Sequence, residues 1–251
     1  MILIIAGATC REAVRSKAFI GLLVFFVVGA LLARIVGWVS STDGNLVTTD
    51  LVLSLQSVVG VLVAIATGTA LVHTEVKQCT LYTVLSRPLP RWQFVVGKYL
   101  GLAAALAIGQ AAMLVIGLAW LWLTGAQVHI WLVLAGLLTT VEVLLMAAAA
   151  LCWTALSSPL LAAALGLATY ALGHAVSALP GLMHHLEGWK QTLAICFVTL
   201  VPNLGEFAYR NEAVHGVALP LVTAAERLAY GGLWIGLLVT VTVSVYRRKQ
   251  L

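Results

Sequence analysis

Ala18-Phe-Ile-Gly-Leu-Leu-Val-Phe-Phe-Val-Val-Gly-Ala-Leu-Leu-Ala-Arg34-Ile-Val-Gly-Trp-Val39 carries one charge in an otherwise apolar run. A helix needs about 20 such residues to cross roughly 30 Å of hydrocarbon, and this stretch meets that length. Five more stretches do the same, at 51–72, 94–123, 131–156, 159–179 and 222–246. The whole chain of 251 residues is 62% hydrophobic and 9% charged, with a mean hydropathy of +1.05. A soluble domain is about 45–50% apolar and about 25% charged, so this chain has too few polar residues to cover a water-facing surface. The pattern predicts an all-α integral membrane protein with six transmembrane helices in a single domain over 1–251. It excludes a water-soluble enzyme.

The basic residues set the orientation. With the N-terminus cytoplasmic, Arg11, Arg15, Lys17, Lys77, Arg87, Arg91, Lys98, Arg247, Arg248 and Lys249 fall inside. Lys190, Arg210 and Arg227 fall outside, while Arg34 lies within the first span. Both termini are therefore expected inside. The net charge of +5 is spread in short clusters between apolar runs rather than gathered on one solvated face, so nucleic acid is not an expected partner. The apolar start precedes the first positive charges, the reverse of a signal peptide. Residues 1–17 read as an amphipathic helix lying on the inner surface against lipid, or as an extension of span one. Cys10, Cys79, Cys152 and Cys196 offer no outer pair, so no intrachain disulfide is expected.

The loop between spans two and three is the one cytoplasmic loop of substantial length. From Glu75 to Leu85 nothing breaks a helix, and Val76, Thr80 and Val84 recur at helical spacing beside Leu81 and Leu85. Pro88 and Pro90 then force an extended turn, and Trp92 and Lys98 suit the headgroup region. The segment 74–93 is either a coupling helix clamped between two spans or a solvated connector.

In this loop the sequence resembles the type-2 class of ABC transporter permeases. The similar residues are Glu75, Thr80-Leu81, Val84-Leu85-Ser86-Arg87-Pro88, Arg91 and Gly97-Lys98-Tyr99-Leu100-Gly101, with Cys79 standing where the family usually has glycine. Leu156-Ser157-Ser158-Pro159 and Val201-Pro202-Asn203-Leu204 are weaker similarities. The branch it looks closest to includes the permease of the copper-site maturation system for nitrous oxide reductase. The resemblance implies a permease half in a prokaryotic inner membrane, pairing with a second permease chain as a homodimer and with two copies of a separate ABC ATP-binding subunit. It also implies room for an extracytoplasmic accessory protein. Glu75, Val76, Leu81, Leu85, Arg87, Pro88 and Arg91 would then couple the bundle to the ATPase. The chain has no Gly-x-x-x-x-Gly-Lys-Ser/Thr, so it needs no cofactor of its own, and ATP and Mg would belong to the partner. The alternative is a stand-alone secondary transporter or channel, which would be expected to carry more intramembrane charge or paired broken helices.

Within the spans, Gly97, Gly101, Ala105, Gly109 and Gly117 recur at steps of four or eight, letting another helix approach closely. That contact either lines a route or is ordinary intrachain packing. Glu142, near the middle of span four, is the most costly residue to bury. Arg34 is a candidate partner if the two helices meet, or it snorkels outward. His174 is the one histidine well inside a span. His129, His184, His185 and His215 sit on or near the outer side beside Met183, but their spacing forms no recognised metal set. No haem pair and no protease motif is present, so no catalytic residue is expected. The segment 180–221 is expected as an outer loop with a short re-entrant or interfacial helix before Pro202-Asn203.

The charge count makes a direct prediction. In a variant whose natural cysteines are replaced, an impermeant thiol reagent applied to intact cells should label a cysteine at position 188 and not one at 249. The reverse pattern would overturn the orientation.

Overall fold

The computed structural model describes residues 2–40, 43–77, 91–177, 199 and 201–248. The described residues are helical, with no strand. In chain order they form α1 (Ile2–Arg15), α2 (Lys17–Val39), α3 (Gly44–Lys77), α4 (Arg91–Leu123), α5 (Ile130–Leu156), α6 (Pro159–Val176), a 3-10 turn (Leu204–Phe207), α7 (Arg210–Val214) and α8 (Leu221–Arg248). Among them α2, α3, α4, α5, α6 and α8 are long and apolar enough to cross a membrane, which agrees with six spans.

Helix boundaries follow local chemistry. Ser16 breaks α1 from α2: its backbone is extended, and its Oγ accepts the Phe19 N–H at 3.1 Å, satisfying one of the orphan donors of a helix start. Residues 2–15 are therefore a helix of their own rather than a continuation of span one. Helix α3 begins at Gly44, seven residues before its apolar stretch, because Asn45, Thr48, Thr49 and Asp50 form a polar first turn and a half. It also runs on past the candidate span through Glu75 and Val76 to Lys77, and the rest of the expected coupling helix, 78–85, lies outside the described residues. Pro159 sits at the first position of α6, where its missing N–H costs nothing.

Helices α3 and α5 form the centre, more than half of each span buried, whereas α2, α6 and α8 are mostly exposed. Helix α5 touches α3, α4, α6, α7 and α8, and Ala147 to Ala150 on it are all essentially inaccessible. Their small side chains let neighbours close in where packing, not water exclusion, joins helices. Two hydroxyl-type ties reinforce the packing: Tyr99 Oη donates to Leu144 O at 3.4 Å, and Trp153 Nε1 donates to Thr169 Oγ1 at 3.0 Å.

The glycines of α4 meet neighbours within this chain. Gly97 faces Ile2 and Ile5, Gly101 faces Ala6 and Thr9, Gly109 faces the Phe19 ring, and Gly117 faces Val52 and Phe26. The first two form the seat of α1. Lys98, expected among headgroups, is instead buried, with Nζ 5.8 Å from the Phe94 ring centre; α1 covers that turn of α4.

A side chain at position 101 would run into the backbone of α1 at Ala6. Gly101→Leu should therefore cost about 1–3 kcal/mol and lower the thermal midpoint of the detergent-solubilised protein. Gly7→Ala, where an added Cβ meets nothing within 4 Å, should hold or raise it. Equal midpoints for the two variants would contradict the seating of α1.

Candidate functional site

Six polar side chains from four spans meet inside the bundle. Helix α3 supplies Gln56 and Ser57, α4 supplies Gln110, α5 supplies Glu142, and α6 supplies Tyr170 and His174. The Glu142 side chain is 3% exposed. Ser57 Oγ donates to Glu142 Oε2 at 3.3 Å and lies 3.5 Å from Tyr170 Oη. His174 Nε2 lies 3.5 Å from Glu142 Oε1, and the Tyr170 and His174 rings are stacked at a tilt, 4.7 Å apart. Alongside, Gln56 Nε2 donates to Gln110 Oε1 at 3.0 Å, and Gln110 Nε2 donates back to Gln56 O at 3.4 Å. Gly60 leaves the space that the Gln110 amide fills. Hydrocarbon offers no water to these groups, so each must find a partner from another helix.

Arg34 is not that partner. Its Nη1 donates to Asn45 Oδ1 at 2.7 Å, and its guanidinium lies 5.6 Å from the Trp38 ring centre. The reason is which helices neighbour: α2 packs chiefly on α3, so Arg34 reaches the start of α3 while Glu142 sits twelve residues along α5.

Asp43 and Asn45 at the start of α3 and residues 125–129 between α4 and α5 meet Val214 and His215 at one end of the bundle. There Asn203 caps the 3-10 turn by accepting the Gly205 N–H at 3.1 Å, and its own N–H donates to Tyr230 Oη at 2.8 Å. Leu204, Phe207, Tyr209 and Ala213 are buried in the main core, and Tyr209 Oη donates to Val217 O. This segment is thus a plug seated on α5, α6 and α8 rather than a surface loop. Arg227 and Glu206 pair across it at 3.6 Å, and Arg210 reaches Asp50 of α3 at 3.9 Å. A cavity of about 460 Å³ opens beside it, lined by Asp43, Asn45, Thr49, Gln127, His129 and His215 among others.

The histidines lie in different places. His129 and His215 line the cavity, His174 joins the polar cluster, and His184 and His185 lie outside the described residues. Among the described residues no group of three or more His, Cys, Asp or Glu could hold a metal. Cys10 and Cys152 are free thiols. Of the coupling segment, Glu75 and Val76 lie in the last turn of α3 and Arg91 opens α4, while Leu81, Leu85, Arg87 and Pro88 lie outside the described residues. Gln56, Ser57, Gln110 and Tyr170 were missed by the search for charge. The available signal was a polar residue in mid-span, which hydrocarbon penalises whether or not it is charged.

A family model described as ABC-2 family transporter protein matches residues 3–251. No curated protein matches the chain.

The paired amides supply a measurable tie between α3 and α4. Gln110→Leu should destabilise the bundle by about 0.6–2 kcal/mol, the range of hydrogen bonds between membrane helices, and Gln56→Leu in the same chain should cost little more. Strict additivity of the two in a double-mutant cycle would mean the bond carries nothing.

Proposed function

Because the chain belongs to the ABC-2 transporter family, we propose that it is the transmembrane permease subunit of a transporter driven by ATP hydrolysis in a separate subunit. The single observation that carries this reading is a family match over almost the whole chain on a bundle of six candidate spans. Nothing in the sequence can cradle nucleotide phosphates, so ATP and Mg are bound by the partner.

The geometry supports a mechanical division of labour. The two helices that flank the segment 78–90 are single rods: α3 has 34 residues and α4 has 33. At about 1.5 Å per residue each is about 50 Å long, longer than the hydrocarbon is thick. A push delivered to the connecting segment by ATPase closure passes along both rods to the level of Gln56 and Gln110. Glu75, Val76, Leu81, Leu85 and Arg87 form the docking surface, Pro88 stiffens the link, and Arg87 and Arg91 meet anionic headgroups or acidic groups on the ATPase. Helix α1, seated on Gly97 and Gly101, lies along the inner membrane surface and moves with α4.

The exposed faces of α2, α6 and α8 serve lipid and a second copy of the chain, giving a homodimer with two ATPase subunits. The cavity beside the plug opens to the outer side, where an accessory protein docks. The work done is export or transmission of force to such a protein. The motif in residues 75–101 favours the branch of metallocofactor-maturation permeases.

Native mass spectrometry of the solubilised complex should show two permease chains and two ATPases. Charge reversal at Glu75 together with Leu81→Asp should abolish permease-dependent ATP hydrolysis while the bundle still assembles. Losing an apolar anchor from a buried interface commonly costs more than about 1 kcal/mol. Full coupled activity in that variant, with the ATPase still bound, would reduce the segment to a connector.

A further inference from the structure

The cluster around Glu142 has an arrangement that packing alone does not require. Glu142 Oε1 and His174 Nδ1 are both buried without a hydrogen-bond partner among the described residues. Oε1 is one end of the 3.5 Å approach from His174 Nε2, which falls short of a hydrogen bond, and Nδ1 lies on the other side of the same ring. The acid and the imidazole thus face each other with one polar atom of each left unpaired. The two residues also differ in access: the His174 side chain is 33% exposed and that of Glu142 is 3% exposed. His174 lies two residues before the end of α6, on the side where the plug sits. Farther out toward that end, Asp50 and Arg210 are paired and about half exposed. Asp50 stands seven residues above Ser57 on α3, about 10 Å at the helical rise. Ionisable groups therefore step inward from the plug end to the middle of span four.

We propose that Glu142 and His174 form a proton-binding site, loaded from the plug end of the bundle through His174. Neutral His174, carrying its proton on Nδ1, takes a second proton at Nε2 from a hydronium ion, which leaves as water, and so becomes the imidazolium. Its Nε2–H bond then breaks as an O–H bond forms at Glu142 Oε1, leaving neutral imidazole protonated on Nδ1 and a neutral carboxyl. Release runs the same steps backward, and one proton is bound per cycle with no other reactant. The ligand is a proton because the carboxyl has almost no free surface, and a proton is the one species it can take without parting the helices.

The surroundings hold few other charges that could take this role. From α3 come the Ser57 hydroxyl, already donating to Oε2, and Asp50 farther out. From α4 comes the uncharged Gln110, held by Gln56. From α6 come Tyr170 and His174 themselves. From α7 comes Arg210, paired with Asp50. The 3-10 turn and α8 bring Glu206 and Arg227, which pair with each other.

Infrared spectroscopy of the full chain in lipid nanodiscs, titrated with pH in light and heavy water, tests the site without any ATPase. The carbonyl stretch of a buried protonated carboxyl should grow and fade with pH. It should vanish in Glu142→Gln, persist in Glu226→Gln, and move its midpoint by about one pH unit or more in His174→Asn. A band that never titrates, or one with an unmoved midpoint in His174→Asn, would overturn the proposal. The His174→Asn titration decides by itself if Glu142→Gln fails to assemble. The link of this proton to the transport cycle rests on the permease reading, so it is read separately: Glu142→Gln should change the pH profile of ATP hydrolysis in the complex, and an unchanged profile would remove the link while leaving the site.

Discussion

Close packing on α5 is the constraint from which the rest of the bundle follows. Inside hydrocarbon, apolar side chains gain nothing by leaving lipid, so helices associate only where their surfaces fit and their polar groups find partners. Helix α5 provides both. Its alanine run, Ala147 to Ala150, is fully covered, and one turn and more away Glu142 demands polar neighbours. Helices α3 and α6 answer that demand with Ser57, Tyr170 and His174. Helix α4 enters through Tyr99 and the Gln110 amide, and the plug of residues 201–215 closes over the end of α6, where Gly173 leaves room for Leu204. Helices that touch α5 little, such as α2, remain free to present their apolar sides outward.

The same contacts bear on the proposed coupling to an ATPase. Two long rods, α3 and α4, leave the membrane on either side of one segment and are tied to each other at Gln56 and Gln110. Neither helix is interrupted between its ends. In the proposed coupling, displacement at their ends is passed to the level where Ser57 meets Glu142. The polar cluster thus sits between the tied rods on one side and the ionisable groups near the plug on the other.

Much of the fold was legible because span length is a one-dimensional quantity: six runs of about the right length give six helices. Boundaries were less legible where polar residues continue a helix. Asn45 to Asp50 belong to α3 although hydropathy discards them, and Glu75 and Val76 extend it at the other end. The cost of burying Glu142 could be read from its position alone, but not its partners. Depth along a helix is countable from sequence, whereas the identity of the neighbouring helix is not, and Arg34 belongs to a helix that packs on α3 rather than on α5. The plug was hidden for a related reason. Pro202 and Asn203 mark a chain turn, and only the tertiary fit of Leu204, Phe207 and Tyr209 makes that turn part of the core.

The measurement that bears most directly on the account is ATP turnover by the chain isolated from its native membrane with whatever copurifies, reconstituted in nanodiscs. A permease subunit should bring down an ATP-binding-cassette protein, and the complex should hydrolyse ATP faster than that protein alone, with all activity lost when the phosphate-binding lysine of the partner is replaced. Recovery of the chain without any ATPase, together with solute movement in proteoliposomes that needs no nucleotide, would contradict it and leave a stand-alone transporter.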